Sequence, residues 1–333
     1  MKSLKLSDRE KTILYLVLTN GAATVPRIAE LSGEKPHVVQ AALRKFHSHN
    51  LLARHVLVNP WKLGYSAHDI LITLSSEGQA HREAVAHFLS ESSSTTAVFE
   101  VGGECDFLVQ ALVTDATELS QFYLDLSERF EGCFLKKDLA TTIQHTFFGE
   151  KHLTKNRALH SEDTVSATSE PVEIDEIDRR ILFELSDPLF TFIPVVARKI
   201  GLPLSTVDYR IKRLRDRAVI AGDMNRLRGE CLGFSRYMLL VSMTGISSVC
   251  HKAFYSFARD HNFIYSLTHS VGRWDYRLSV SAPKVADIQS LVHQLKKHFG
   301  DSVATIKSLP MFHAKKIKDF PVKEPAVLLR KAQ

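Results

Sequence analysis

A short basic segment in the second half of the chain carries residue types that bind nucleic acid. Seven Lys and Arg residues and two Asp residues lie between Arg198 and Arg217. Lys and Arg neutralise phosphates, and side chains near the start of a helix also reach base edges in the major groove. We therefore expect contact with double-stranded DNA; the alternative is a helix face that is only solvated. The expected contact residues are Ser205, Thr206, Tyr209, Arg210, Lys212, Arg213 and Arg217.

Three short helices are expected to position these residues. Asp175 is a suitable cap for the first helix, which Pro188 ends. Gly201 follows the second helix, and Ser205 is expected to cap the third. A tight turn before the third helix, with a strand and turn after it at Val219, predicts a winged helix-turn-helix.

A related segment lies in the first half of the chain. Lys35 to Arg54 contains four Lys and Arg residues and no acidic residue. It either contacts DNA directly or is a degenerate copy kept for packing. The first helix, around Tyr15, is apolar on all sides, which predicts extra burial against the other half or another subunit. The candidate DNA contacts here are His37, Gln40, Arg44 and Lys45.

A second group of residues, Gly272-Arg273-Trp274-Asp275-Tyr276, is a candidate small-molecule site. A carboxylate at Asp275 can hold an ammonium group, or it can cap a turn. Arg273 can bind a carboxylate bidentately or stay exposed. Trp274 can cover a ligand or fill an interface. The group lies at a predicted strand turn, where such side chains meet.

Other chemistry has little support in the sequence. The 16 His residues show no HxxxH or HExxH spacing, and the 4 Cys residues form no CxxC pair. No nucleotide-binding loop, Ser-His-Asp pattern or paired-carboxylate motif stands out. We therefore expect no metal, no cofactor, no catalytic residue and no enzyme activity.

The sequence matches itself. With a shift of 168 residues Pro26 falls on Pro194 and Gly33 on Gly201, and with a shift of 169 Asp106 falls on Asp275. Two copies of one two-part module are the simplest explanation. The expected domains are residues 1–58 and 174–228 as winged helix-turn-helix domains, 59–153 and 229–320 as effector domains, 154–173 as a flexible linker and 321–333 as a tail.

The remaining part of each copy alternates strands and helices. In the second copy the order is β-α-β-β-α-β, which is the ferredoxin-like unit. The expected fold class is therefore α+β, with two copies of a winged helix-turn-helix domain followed by a ferredoxin-like domain. An antiparallel sheet of this kind can leave one face for a second sheet, so the two copies can pack as an internal dimer.

Charge separates the two halves. Residues 1–150 carry 14 Lys and Arg against 18 Asp and Glu, whereas residues 172–333 carry 26 against 16. We expect Arg210→Ala or Arg213→Ala to weaken DNA binding more than Arg44→Ala. No stretch approaches the roughly 18 apolar residues of a membrane span, and no secretory signal is evident. The expected location is the cytoplasm, with no membrane partner.

Several motifs together resemble the leucine-responsive regulatory protein/AsnC family of transcription regulators. Ile174-Asp175-Glu176-Ile177-Asp178-Arg179-Arg180-Ile181-Leu182 resembles the family's opening helix, and Ser205 to Leu214 its recognition helix. Val219-Ile220-Ala221-Gly222 resembles its wing, with Ala218 where glycine is usual. Gly272 to Val280 resembles its effector-domain motif. The resemblance runs twice through about 300 residues.

The resemblance implies a regulator that binds DNA, senses an amino acid or other small molecule near Gly272-Arg273-Trp274-Asp275-Tyr276, and assembles into homo-oligomers through its effector (RAM) domain. Family members usually carry one copy, whereas this chain carries two. The first copy has Phe107 where tyrosine is expected, so symmetric effector binding does not follow. Two unequal DNA-reading domains in one chain would suit an asymmetric site.

Two other functions stay open. Siroheme decarboxylases resemble this family in fold and use the same double module, but histidine and Tyr-Asn-x-Trp-Phe patterns are expected at their hairpin turn. His269 is the residue here that supports an enzyme. The other alternative is an interaction module that does not bind DNA.

Overall fold

The computed structural model describes residues 4–21, 23–186, 193–228, 232–318 and 320. The expected helix end at Pro188 and the expected tail at 321–333 lie outside these residues. The helices are α1 Asp8–Thr19, α2 Val25–Ser32, α3 Pro36–Ser48, α4 Ser76–Ala80, α5 Arg82–Glu91, α6 Ala116–Arg129, α7 Glu176–Leu185, α8 Ile193–Ile200, α9 Leu204–Asp216, α10 Ser248–Asp260 and α11 Val285–Phe299. The strands are β1 Leu52–Val58, β2 Ser66–Leu74, β3 Thr95–Val101, β4 Phe107–Val113, β5 Phe134–Phe147, β6 Asp163–Ser166, β7 Ile220–Leu227, β8 Ser235–Met243, β9 Ile264–Gly272, β10 Tyr276–Ala282 and β11 Val303–Ile317.

Each half contains a helix-turn-helix domain followed by a ferredoxin-like domain, which confirms the predicted fold class. Asp175 caps α7 through the Asp178 amide, as expected. Ser205 does not cap α9, because that helix begins one residue earlier, at Leu204, after Pro203. The turn between α8 and α9 contains Gly201 with φ of 71°, a left-handed conformation that favours glycine.

The wing is shared between the two halves. We expected a hairpin after each third helix, but β1 of the first half pairs antiparallel with β7 of the second half. The resulting two-stranded ribbon joins the helix-turn-helix domains: Val56 and Val58 of β1 enter the core of the second domain, and Leu227 of β7 enters the core of the first. Each domain therefore completes its core with a strand of the other half.

Burial of α1 against the other half is confirmed. Six consecutive residues, from Ile13 to Leu18, are buried. The Asn225 side chain of β7 donates to the Val17 carbonyl at 2.7 Å. On another side, the Tyr15 ring lies 5.7 Å from that of His160, between centroids. An apolar surface on every side of α1 is thus covered within the chain.

The two ferredoxin-like sheets close into one barrel of eight strands, in the order β5-β2-β4-β3-β11-β8-β10-β9 and back to β5. The two long strands make the closure. β5 pairs with β2 and then with β9, and β11 pairs with β8 and then with β3. Helices cover the outside, and an apolar cluster that includes Trp274 fills one end of the interior.

The segment expected to be a flexible linker contributes to the sheet. Within 154–173, β6 pairs with the end of β5, and Val165 is buried. The Ala167 amide then donates to the Ile143 carbonyl at 2.8 Å. A short strand paired with the end of β5 therefore lies where the polar composition predicted a flexible linker.

Candidate nucleic-acid interface and ligand cavity

The surface of α9 exposes the residue types expected at a DNA interface. Tyr209 is 66% exposed, which is unusual for an aromatic side chain on a folded helix. Ser205 and Lys212 are also exposed, and Thr206 and Arg217 are partly exposed. Hydroxyl, aromatic and cationic groups therefore share the solvent side of one helix, opposite the buried side chains of Val207, Ile211 and Leu214.

Two expected contact residues are instead paired with acidic residues at the start of α7. Arg210 Nη1 lies 2.9 Å from Asp178 Oδ1 and 2.6 Å from Asp175 Oδ2, and Arg213 Nη2 also pairs with Asp178. Asp178 is fully buried, so these cations neutralise a carboxylate in the core. Partial burial raises the pKa of Asp175, but hydrogen bonds from Arg210 and the Asp178 amide leave that pKa below its usual value. Substituting Arg210 or Arg213 therefore tests the stability of the domain as well as contact with DNA.

The matching helix of the first half, α3, exposes fewer cations. His37, Gln40 and Arg44 are exposed, whereas Lys45 Nζ lies 2.7 Å from Glu10 Oε1 of α1. Arg44 occupies the position of Lys212 in α9, at the repeat shift of 168. Lys45 occupies the position of Arg213, which is likewise paired with an acid of its first helix, so the two helices are comparable at two positions.

The five residues of the Gly272 turn point in different directions. Trp274 packs inside the barrel, and Tyr276 faces the helices, where its hydroxyl lies 3.0 Å from His251 Nδ1. Arg273 is exposed, with Nε 3.8 Å from Asp138 Oδ1. Asp275 accepts a hydrogen bond from the Met243 amide at 2.6 Å, the turn-capping geometry. Side chains of Arg273 and Asp275 alone remain open to a ligand at this turn.

Two histidines lie beside this turn. The rings of His251 and His269 are 4.6 Å apart between centroids, and the Tyr276 ring stacks near both. Burial lowers the pKa of each imidazole. Both rings are therefore largely neutral at pH 7, and they do not repel a cation near Asp275.

The same turn in the first half is closed by ion pairs. Asp106 Oδ1 accepts hydrogen bonds from Arg82 and from Gln79, and Arg82 Nε lies 3.5 Å from Glu100 Oε1. At the shift of 169, Arg82 takes the place of His251 and Glu100 that of His269. The Arg82 guanidinium also lies 5.0 Å from the centre of the Phe107 ring. The phenylalanine that replaces tyrosine here thus faces a cation rather than an imidazole.

Between the wing ribbon and the barrel lies a cavity of about 250 Å³. Its polar wall includes Asp69 and Arg277, which form a buried ion pair inside the barrel at 2.7 Å. Sequence reasoning missed both residues, although Arg277 directly follows the Gly272 turn. The available signal was the charge of Arg277 in a strand of alternating apolar and polar residues. The sequence does not indicate that the polar face of this strand is buried inside a barrel.

The described residues contain neither a metal site nor a membrane-spanning helix. Over the described ranges, no three His, Cys, Asp or Glu side chains converge as a metal site requires. None of the helices in that part of the chain combines the length and apolar character needed to cross a bilayer.

Comparison with known proteins gives two kinds of relative. No family model matches the chain. By sequence it is 28% identical over 128 residues to an uncharacterised HTH-type transcriptional regulator of Pyrococcus furiosus, covering 38% of this chain and 85% of the relative. It is 26% identical over 165 residues to the HTH-type regulator AldR of Mycobacterium tuberculosis, covering 49% and 92%. It is 35% identical over 81 residues to the regulator LrpA of Pyrococcus horikoshii, covering 24% and 55%.

Among solved structures, the siroheme decarboxylase NirDL matches nearly the whole chain. The TM-score is 0.61 at 10% identity, with 94% of each chain covered. The same enzyme in co-complex with an iron-uroporphyrin III analogue gives the same values. At this identity the likeness shows a shared fold.

The expectation of no enzyme activity, which rested on the absence of a catalytic motif, is contradicted by this structural match. A solved structure that shares the double-module fold over 94% of the chain is itself an enzyme. The absence of a recognisable catalytic motif therefore does not separate regulators from enzymes on this scaffold.

Proposed function

We propose that the chain is a sequence-specific DNA-binding transcription regulator of the Lrp/AsnC type, with α9 as its main reading helix. The observation that carries the proposal is the exposed face of α9, where Tyr209, Lys212 and Ser205 lie together. Lysine and arginine contribute phosphate contacts, and hydroxyl and aromatic groups near the helix start reach base edges or backbone. Similarity to HTH-type regulators supports the same function.

The test is a selection of genomic DNA fragments by the purified chain at about 0.15 M salt, followed by sequencing. A regulator enriches a few fragments that share a motif. On such a fragment, Lys212→Ala is expected to weaken binding and to reduce the salt slope by about 1, as loss of one phosphate contact does. Arg44→Ala tests in the same way whether α3 of the first half contacts DNA.

The matched control is Lys252→Ala, which removes the same charge from an exposed position on α10, away from both reading helices. Equal losses for Lys212→Ala and Lys252→Ala would refute a specific role for α9. A larger loss for Arg44→Ala than for Lys212→Ala would move the main contact to α3.

We further propose that an amino-acid effector binds at the second turn and not at the first. Asp275 keeps a carboxylate that no cation among the described residues pairs with, whereas Arg82 already occupies Asp106. Titration with each amino acid in turn should then give one site per chain, which Asp275→Asn removes. Arg82→Ala should free Asp106 and add a weaker second site. Unchanged binding by Asp275→Asn would contradict this placement.

An enzyme acting on a tetrapyrrole is the second candidate. The whole-chain fold likeness favours it, together with the two neutral imidazoles of His251 and His269 beside Asp275, which suit proton transfer. Tetrapyrrole colour in the purified protein, or carbon dioxide release from added siroheme that His269→Ala abolishes, would support it. A colourless protein that releases no carbon dioxide would refute the enzyme candidate and favour the transcription regulator.

A further inference from the structure

The barrel interior contains one buried ion pair that the repeat does not duplicate. Asp69 is 1% exposed and Arg277 is 4% exposed, and Arg277 Nε donates to Asp69 Oδ2 at 2.7 Å. At the shift of 169, the position of Asp69 is taken by Met238 and that of Arg277 by Leu108. Both of these are buried and apolar. The ion pair therefore belongs to one side of the barrel only.

Stability does not account for this pair. Replacing a buried ion pair by apolar residues of similar volume is often neutral or stabilising, because two charges must be removed from water. Met238 and Leu108 demonstrate that the scaffold accepts apolar side chains at the matching positions. A charged pair kept on one side of the interior needs another explanation.

Asp69 and Arg277 differ in how many of their hydrogen-bonding groups have partners. Asp69 accepts from Arg277 on one oxygen and from Gln110 Nε2 on the other, at 3.1 Å. Over the described residues, Asp69 is the one hydrogen-bond partner of the Arg277 guanidinium. The Asp69 carboxylate is thus satisfied, whereas the Nη groups of Arg277 retain donors. Arg277 lines the cavity next to Ser266 and Ser279.

The cavity wall combines charged, neutral polar and apolar residues, and its cations outnumber its acids. Its charged residues are Arg226, Arg236, Arg277 and Lys318 against Asp69 and Glu150. Both carboxylates are paired, Glu150 Oε1 with Arg236 Nη2 at 2.9 Å. Trp61, Phe99 and Phe147 contribute apolar surface. Such a wall favours an anion that has an apolar part.

We propose that this cavity binds a small carboxylic acid with an apolar side chain, its carboxylate on the Nη groups of Arg277. Planar, bidentate recognition of a carboxylate is the geometry for which a guanidinium is suited. At about 250 Å³ the cavity is smaller than the roughly 300–1,000 Å³ of sites that hold drug-sized ligands, so the ligand is a small metabolite. An amino group is not required, which distinguishes this site from the one at Asp275.

The position of the cavity would let a bound ligand affect the two helix-turn-helix domains. Leu57 of β1 and Leu227 of β7 form part of its wall, on the ribbon that joins the two helix-turn-helix domains. The site itself does not depend on DNA binding, so it can be tested without DNA.

The experiment is calorimetric titration of the full chain with phenylacetate and isocaproate, and with phenethylamine and isohexylamine as amines of matched shape. At least one carboxylate should bind with a dissociation constant at or below about 1 mM, and neither amine should bind. The double variant Asp69→Met with Arg277→Leu reproduces the apolar pair of the other side. It should keep its melting temperature and lose about 10-fold or more in carboxylate affinity, as loss of a charged hydrogen bond does.

Two further variants complete the test. Glu104→Met with Lys307→Leu removes an ion pair between exposed and half-buried groups outside the cavity and should bind as the wild type does. Arg277→Lys keeps the charge but not the bidentate geometry, and it should weaken binding even if the double variant fails to fold. The proposal is overturned if no carboxylate binds, if amines bind equally well, or if folded Arg277 variants bind undiminished.

Discussion

The turn at Asp106 and the turn at Asp275 share a backbone but differ in chemistry. In each, the aspartate accepts a hydrogen bond from the amide that ends the first strand of its sheet, Leu74 in one half and Met243 in the other. Arg82 then neutralises Asp106, whereas His251 at the matching position bonds to Tyr276 instead. Two copies in one chain can thus keep the fold while only one of the two aspartates is paired with a cation among the described residues.

The two helix-turn-helix domains also differ in their charged residues. Both third helices are tied to their first helix by a cation on an acid, Lys45 on Glu10 and Arg213 on Asp178. The second head adds Arg210, where the first has Ala42. A charged residue on the third helix can therefore stabilise its own domain through an ion pair. For this reason, the number of charged residues on such a helix overestimates the number that are free to contact DNA.

The largest expected difference between the halves is at the glycines of the two turns. A Cβ on Gly272 would lie 2.7 Å from the Leu139 carbonyl oxygen and 2.9 Å from the Ala140 Cα, and its φ is 140°. A Cβ on Gly103 would meet nothing nearer than 3.5 Å, at a φ of 94°. Gly272→Ala should cost about 2–4 kcal/mol in the free energy of unfolding, and Gly103→Ala about 1–2 kcal/mol.

Urea unfolding of the two variants measures this pair directly. Equal losses would mean that the close approach of β9 to β5 relaxes without cost, and that backbone conformation alone limits both turns.

Acid should destabilise the chain through His261, a position whose counterpart in the first half does not titrate. Burial, with a smaller effect of the Lys151 charge, lowers the pKa of His261 to about 4. Its Nδ1 accepts from the Phe263 amide at 3.3 Å, which requires the neutral ring, while the matching residue of the first half is Ser92. The neutral form contributes its stability above the unfolded pKa of about 6.5, and that contribution is lost as the pH falls towards 4.

At pH 5 the loss from His261 should be about 2 kcal/mol relative to pH 7. His261→Asn keeps an acceptor that does not titrate, so its unfolding free energy should depend less steeply on pH over this window. The same slope in wild type and variant, compared by denaturant titration at the two pH values, would assign the acid sensitivity to other groups.

The smallest expected difference lies just before the wing strands. Ala218 has φ of 54° and Asn50, at the matching position, has φ of 52°. Alanine is strained in this left-handed conformation by about 1–2 kcal/mol, whereas asparagine tolerates it. Ala218→Gly should therefore raise the free energy of unfolding by about 1 kcal/mol, and Asn50→Gly should change it by a few tenths at most. Thermal unfolding of both variants checks the prediction; a larger gain at Asn50 would contradict it.

Local signals were sufficient for much of the fold. The Asp175 cap, Gly201 after α8 and the alternation of β10 each act within a few residues, so their elements were predictable from the sequence. Because the two halves are repeats, the elements predicted for the second half could also be assigned to the first. The Gly272 turn was also located, although its side chains face separate environments.

Contacts between the halves were not predictable in the same way. The pairing of β1 with β7, the continuation of β5 and β11 from one sheet into the other, and the Asp69–Arg277 pair all join residues from different copies. Sequence periodicity indicates which face of a strand is buried, but it does not indicate which strand lies beside it. The sequence therefore determined two modules, each with a helix-turn-helix domain and a ferredoxin-like domain. Only the tertiary structure decided that they share a wing, close one barrel and enclose a charged cavity, because those features arise from contacts that neither copy makes alone.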